Sequence, residues 1–253
     1  TGVQTCALPI SMKMNKRMSG GFTLVELLVV IVIIATLASL SFLGYGRMRS
    51  AGDRAATVAI MRQLQIANFS YATDNGGQFV PLEGRDPNTN QVDVTWHQNS
   101  MFLAYLTSDQ TAVENNQKTN DNPPTSILDP VVLRAKKRLY NKLFASYGYN
   151  QENMPISASA KKEKCFNMSQ ITNGARSAAF ATGTDHYLKY SGRLLWTSSS
   201  VEGKSMDGRM AFRHGGKAIV AYYDGSTGFI TQVDIKRFDK EGGIANAFWK
   251  ANY

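Results

Sequence analysis

Residues 21–43 read GFTLVELLVVIVIIATLASLSFL, and between Phe22 and Leu43 the sole ionisable side chain is Glu26. At 1.5 Å rise per residue this run makes a helix of about 33 Å, enough to cross the hydrocarbon core of a bilayer. A lone carboxylate near one end of such a segment is costly in lipid, so it is expected to have a functional partner. Immediately upstream lies MKMNKRMSG at 12–20, basic and without an acidic residue. The positive-inside rule places that segment on the cytoplasmic side of the membrane. A secretory signal would instead need a small-x-small cleavage site after the apolar run, and residues 35–50 contain no Ala-x-Ala.

The basic leader ending in Gly21, followed by Phe22, Thr23, Leu24, Val25 and Glu26 and then an unbroken apolar helix, resembles the prepilin-type signature. Type IV pilins and the pseudopilins of type II secretion systems share that signature. The resemblance implies cleavage between Gly21 and Phe22 by a prepilin peptidase and methylation of the new amino group on Phe22. It also implies that Glu26 faces the α-amino group of a neighbouring subunit, which gives the buried charge its partner. The implied partners are the peptidase, copies of the chain, other pilins or pseudopilins, an inner-membrane assembly platform, and the cytoplasmic membrane before assembly. The implied location is the bacterial inner membrane, single-pass with the head outside the cytoplasm, then a periplasmic pseudopilus or a surface pilus.

Composition narrows the remainder. The chain has 253 residues and a formal charge of +9. Removing Lys13, Lys16 and Arg17 with the leader leaves 25 basic against 19 acidic side chains, a charge of +6. So mild a bias is no nucleic-acid footprint, and a nucleic-acid partner is not expected. A competing reading is a signal-anchored binding module whose basic head captures DNA, glycan or an exported substrate without polymerising. Of the two cysteines, Cys6 falls in the leader and Cys165 in the head. No internal disulfide is therefore expected to brace the mature head, whose stability must come from packing or a bound ion. Residues 1–11, TGVQTCALPIS, resemble a translated sequencing-adapter remnant and are set apart from the fold argument.

These observations divide the chain into a leader at 1–21, a transmembrane and stem helix at 22–74, and a globular head at 75–253. The expected fold is α+β, with a long N-terminal helix, half transmembrane and half amphipathic, packed on an antiparallel sheet. Gly44 and Gly46 mark the place where that helix is expected to bend or melt locally. Beyond them, Ala56, Ile60, Leu64, Ala67 and Tyr71 recur at spacings of four or three and predict a buried stripe, with Arg54, Arg62 and Gln65 opposite. Asp74, Asn75, Gly76 and Gly77 should stop the helix near Asn75. The YATDNGGQFVP stretch at 71–81 is similar to the helix end in pseudopilin heads.

Within the head, a short helix is expected at Gln98–Leu106, and a basic amphipathic stretch runs from Val131 to Phe144. Strands are expected at Ala178–Ala181, at Arg193–Thr197 and at Lys217–Tyr223. Asp224-Gly225 supplies a hairpin turn, with Phe229, Thr231, Val233 and Ile235 sharing one face of the return strand. His214 followed by Asp224-Gly225, with a Ser-Tyr-Gly-Tyr-Asn stretch at 146–150, resembles a prepilin-associated head family. Members of that family often carry a Cys-Pro pair before the latter stretch; Asp129-Pro130 stands there in this chain.

No catalytic constellation assembles, and no enzymatic activity is expected. His97, His186 and His214 fit no HExxH or zinc spacing. There is no GxSxG elbow. Gly203-Lys204-Ser205 resembles the end of a phosphate loop, but Ser198 stands where its first glycine should be. Two cation readings remain as expectations: His214 with Asp224 as metal ligands, and a calcium loop using Asp207-Gly208 and Asp224-Gly225, because some pseudopilin heads bind calcium. No Asp-x-Asp-x-Asp run supports the second.

Overall fold

A computed structural model describes residues 22–86, 88, 90, 94–111, 113–114, 125–134, 146–155, 163–190, 208–240 and 247–252. The chain separates into two compact units, residues 1–47 and residues 48–253. Helix α1 runs over Leu24–Asp74. In the first unit its side chains are exposed along the apolar run, from Leu24 at 81% to Leu40 at 68%. This segment has a mean hydropathy of 2.7 and is long and apolar enough to cross a membrane. The backbone stays helical through Gly44, Tyr45 and Gly46, so local melting does not occur there. A glycine lowers helix propensity by about 1 kcal/mol, too little to interrupt a cooperative helix by itself.

In the second unit α1 buries Ile60, Met61, Leu64, Ala67, Tyr71 and Ala72. Two expectations fail here: Ala56 is exposed and Gln65 is fully buried. The buried stripe is Thr57, Ile60, Met61, Leu64, Gln65, Ala67, Asn68, Tyr71 and Ala72, wider than the purely apolar positions. Polar members of a helix face can be buried where the opposing layer offers hydrogen-bond partners, and it does so for Gln65 and Asn68. The helix closes with the Gly77 amide donating to the Ala72 carbonyl at 2.8 Å, a six-to-one capping bond.

Short strands β1 (Glu83–Gly84) and β2 (Val94–Thr95) pair antiparallel. A 3₁₀ turn at Trp96–Gln98 leads into α2 (Ser100–Leu106). There the Asn99 side chain accepts from the Phe102 amide at 2.9 Å, which starts the helix. Helix α3 is a short turn over Pro130–Arg134; residues 135–144 of the basic stretch lie outside the described residues, as does the strand expected at Arg193–Thr197.

The main sheet contains β3 (Tyr147–Asn150), β4 (Ala178–Thr182), β5 (Tyr187–Leu188), β6 (Lys217–Tyr222) and β7 (Thr227–Thr231), in the order β5-β3-β4-β6-β7. Its pairings are antiparallel except at one edge, where the two-residue β5 runs parallel to β3. Alternation along β6 sends Ile219 and Ala221 to the α1 side, where they meet Tyr149, Phe180 and Tyr223. Ala218 and Val220 go to the other side and pack with Ile235, Phe248 and Trp249. The head is thus a three-layer α+β unit with a core on each face of its sheet.

The return strand ends sooner than alternation predicts. After Thr231 the chain turns into α4 (Gln232–Lys240), so Val233 and Ile235 belong to a helix and not to β7. The cause is a capping box. The Thr231 amide donates to Asp234 Oδ2 at 2.9 Å, and the Asp234 amide donates to Thr231 Oγ1 at 3.2 Å. Ile235 and Phe238, three apart, then face the second core.

Candidate functional site: the processing segment and the head signature

At the start of α1, Thr23 and Glu26 form the same kind of box. The Thr23 amide and hydroxyl both donate to Glu26 Oε2 at 2.8 Å, and the Glu26 amide donates to Thr23 Oγ1 at 3.3 Å. Two of the amides that a helix start leaves without partners are thereby satisfied within the chain. Both donors to the carboxylate converge on one oxygen. Gly21 lies outside the described residues; Phe22, next to the expected cleavage bond, is 78% exposed. Sequence reasoning treated Glu26 only as a charge awaiting a neighbour and missed the box, although Thr-x-x-Glu ahead of an apolar run is its pattern.

In the head, His214 pairs with a residue the expectation did not choose. Its Nε2 lies 3.0 Å from Asp129 Oδ2, with both side chains buried. Arg213, on the same turn, reaches Asp129 Oδ2 at 3.7 Å and donates to the Gly183 carbonyl. The Asp129 amide donates to Ser146 Oγ at 3.2 Å, and the Val131 amide donates to Asp129 Oδ1 at 2.8 Å. Burial pushes the Asp129 carboxyl up, but the Arg213 guanidinium and the His214 hydrogen bond outweigh it and hold the group below the usual carboxylate range. Burial also lowers the Arg213 guanidinium against the pull of Asp129. The acid where the resembling family often carries Cys-Pro is thus the one that neutralises this cluster.

Asp224 and Gly225 sit elsewhere, at the tip of the β6–β7 hairpin. The Ser226 amide donates to Asp224 Oδ1 at 2.9 Å and the Gly225 amide to the Tyr222 carbonyl at 3.0 Å. Gly225 has φ 88°, the left-handed conformation such a turn demands. The tip is seated on α1: Gln65 Nε2 donates to the Tyr223 carbonyl at 3.3 Å, and Tyr223 is buried with Phe79 and Phe166. His214 engages Asp129 and Asp224 closes a turn, so each of these proposed metal ligands has a structural role in the head.

The Ser-Tyr-Gly-Tyr-Asn stretch reads the same way. Ser146 accepts from Asp129, Tyr147 and Tyr149 are fully buried, and the Tyr149 ring stacks on Phe180 at 4.5 Å. A Cβ at Gly148 would stand 2.8 Å from Leu188 Cδ2 and 2.9 Å from the Asp185 carbonyl oxygen, so glycine is what lets β5 approach β3. Asn150 Nδ2 donates to the carbonyls of Ala178 and Trp249 at 2.9 Å each, tying the sheet to the layer behind it.

The other histidines are similarly engaged. His97 Nε2 lies 2.8 Å from Thr95 Oγ1, and His186 Nδ1 lies 2.8 Å from Asp185 Oδ1. Among the described residues, no group of three or more His, Cys, Asp or Glu side chains is placed to hold a metal ion. Asp207 lies outside the described residues.

Residues 16–42 match the family model of the prokaryotic N-terminal methylation motif. The chain therefore carries the N-terminal signature of type IV pilins and pseudopilins, and the motif marks a type IV pilin-like or pseudopilin precursor. It implies processing by a prepilin peptidase and assembly with other pilins. Motif and apolar helix together fit a precursor anchored in the inner membrane. No curated protein and no solved structure matches the chain.

Proposed function

We propose that the chain is a structural subunit of a type II secretion pseudopilus or a type IV pilus-like filament. Prepilin peptidase cleaves it between Gly21 and Phe22, and it assembles through its N-terminal helix. The observation that carries this reading is the methylation motif at residues 16–42, which coincides with the start of the 51-residue helix α1. The apolar half stores the subunit in lipid with its head outside the cytoplasm. On assembly, helix packing replaces lipid. Glu26 then registers each subunit against the Phe22 amine of its neighbour, because an uncompensated carboxylate in an apolar surround is costly. The head acts as a non-catalytic body.

Mass spectrometry of the mature N-terminus tests the processing step. N-methylated Phe22 is expected; an intact leader would instead favour a signal-anchored binding module. Electron microscopy of a strain carrying Glu26→Ala tests registration. The variant should insert in the membrane normally and yield no filaments, and unimpaired filaments from it would sink the idea.

A further inference from the structure

On the side of the sheet away from α1, the head carries a cavity of about 290 Å³ lined by Ala175, Arg176, Tyr222, Phe238, Ala247 and Phe248. These residues come from stretches far apart in sequence: the turn before β4, the end of β6, α4 and the C-terminal segment. Ala247 and Phe248 are buried and make the floor, whereas Ala175 and Arg176 are exposed and make the rim.

The walls are fixed by contacts of their own. The Phe238 and Phe248 rings lie 5.5 Å apart, Tyr222 meets Phe248 edge-on at 6.4 Å, and Trp249 meets it edge-on at 5.0 Å. The Ser177 hydroxyl donates to the Ala247 carbonyl at 2.8 Å, and the Arg176 amide donates to the Asn173 carbonyl at 3.1 Å, so the rim turn is tied to the floor. Walls ordered in advance spare an incoming ligand much of the cost of arranging them. Ala175 and Ala247 add only a methyl group each, which leaves the space between the rings open.

Size and chemistry narrow what fits. A cavity of about 150 Å³ takes benzene, so 290 Å³ has room for an aromatic ring with a short side arm. Aromatic walls favour such a ring, placed edge-on or offset. At the rim, the Arg176 guanidinium makes no ion pair among the described residues. The neighbouring charges are engaged: Asp224 accepts from the Ser226 amide, Asp234 accepts from Thr231, and Arg237 lies over the Phe238 ring at 5.9 Å. A guanidinium binds a carboxylate through two parallel hydrogen bonds.

We infer that this cavity is a binding site for a small aromatic carboxylate, its ring held among Tyr222, Phe238 and Phe248 and its carboxylate on Arg176. The site lies wholly within one head, so it stands or falls independently of filament assembly.

Ligand-observed saturation-transfer NMR tests it, using the full-length chain in zwitterionic lipid nanodiscs, 3-phenylpropionate as the probe and empty nanodiscs as the control. The acid should bind with a dissociation constant on the order of 1 mM, as its small number of atoms sets. Its uncharged analogue, 3-phenylpropionamide, should bind at least fivefold more weakly. Arg176→Gln should lower the affinity for the acid to that of the amide and leave the amide unchanged. Ala175→Phe, at an exposed position, puts a ring into the cavity and should weaken acid and amide alike, with the circular dichroism spectrum unaltered. A signal no greater than that of empty nanodiscs at ten times the expected dissociation constant would overturn the site. Equal binding of acid and amide, or acid binding that survives Arg176→Gln, would overturn the carboxylate assignment, and binding that survives Ala175→Phe would place the ligand elsewhere.

Discussion

Asp129 is a buried carboxylate paired with the Arg213 guanidinium and hydrogen-bonded to His214, so a change there removes one member of a buried charged set. Removing one member of a buried charged set leaves the others desolvated without compensation, at a cost of about 3–5 kcal/mol. Asp129→Asn should lower the thermal midpoint of the detergent-solubilised chain accordingly, read by circular dichroism. The pH dependence follows from the direction of its shift. The folded carboxyl titrates below its unfolded value of about 3.9. Its contribution is therefore complete above that value and is lost as pH falls through the lower folded value. Wild type should lose stability below about pH 4, and Asp129→Asn should flatten that part of the profile. At Gly225 the φ of 88° makes Gly225→Ala destabilising by about 1–2 kcal/mol, measured by chemical denaturation.

Among the elements, the stem of α1 was legible because its apolar residues keep a helical spacing over several turns, and β4 and β6 because each is a short apolar run next to turn-forming residues. Ile60, Leu64, Ala67 and Tyr71 are buried as their spacing predicts, and β4 and β6 lie where their apolar runs placed them. What stayed hidden depends on contacts distant in sequence. Gln65 reads as a surface residue until the Tyr223 carbonyl, 158 positions away, is brought to it. His214 was matched to Asp224 by motif spacing, yet its partner is 85 positions upstream. The β7-to-α4 change was visible in principle, since Thr231-x-x-Asp234 is a capping pattern, but alternation through Phe229, Val233 and Ile235 concealed it. Leu64 is fully buried in the core that α1 shares with the sheet. Leu64→Ala should cost about 2–5 kcal/mol in equilibrium denaturation, whereas Ala56→Ser, on the exposed face, should cost less than about 0.5 kcal/mol.

For the head as a whole, Cys165 offers a measure of cooperativity. It is 5% exposed, and burial, aided by Glu163, pushes its thiol up to about 11. The thiolate is the nucleophile, so in the folded head this cysteine should resist alkylation near neutral pH. Labelling across a denaturant series should appear only with loss of the β-sheet signal by circular dichroism. Labelling that precedes that loss would show that the region around Cys165 opens independently of the sheet. Because the thiol is sequestered, it should also leave engineered surface cysteines to react without interference.

The attachment of α1 to the head has a mechanical consequence. Four polar ties are spaced along the stem. Asp53 pairs with Arg134, Gln65 donates to the Tyr223 carbonyl, Asn68 accepts from the Val80 amide at 3.0 Å, and Asp74 accepts from Tyr105. From Asp53 to Asp74 they cover about 31 Å of helix. A pull along the helix axis loads them in shear and together, so force is shared and the weakest tie is not tested alone. A pull across the axis would break them in sequence, like a zip, at far lower force.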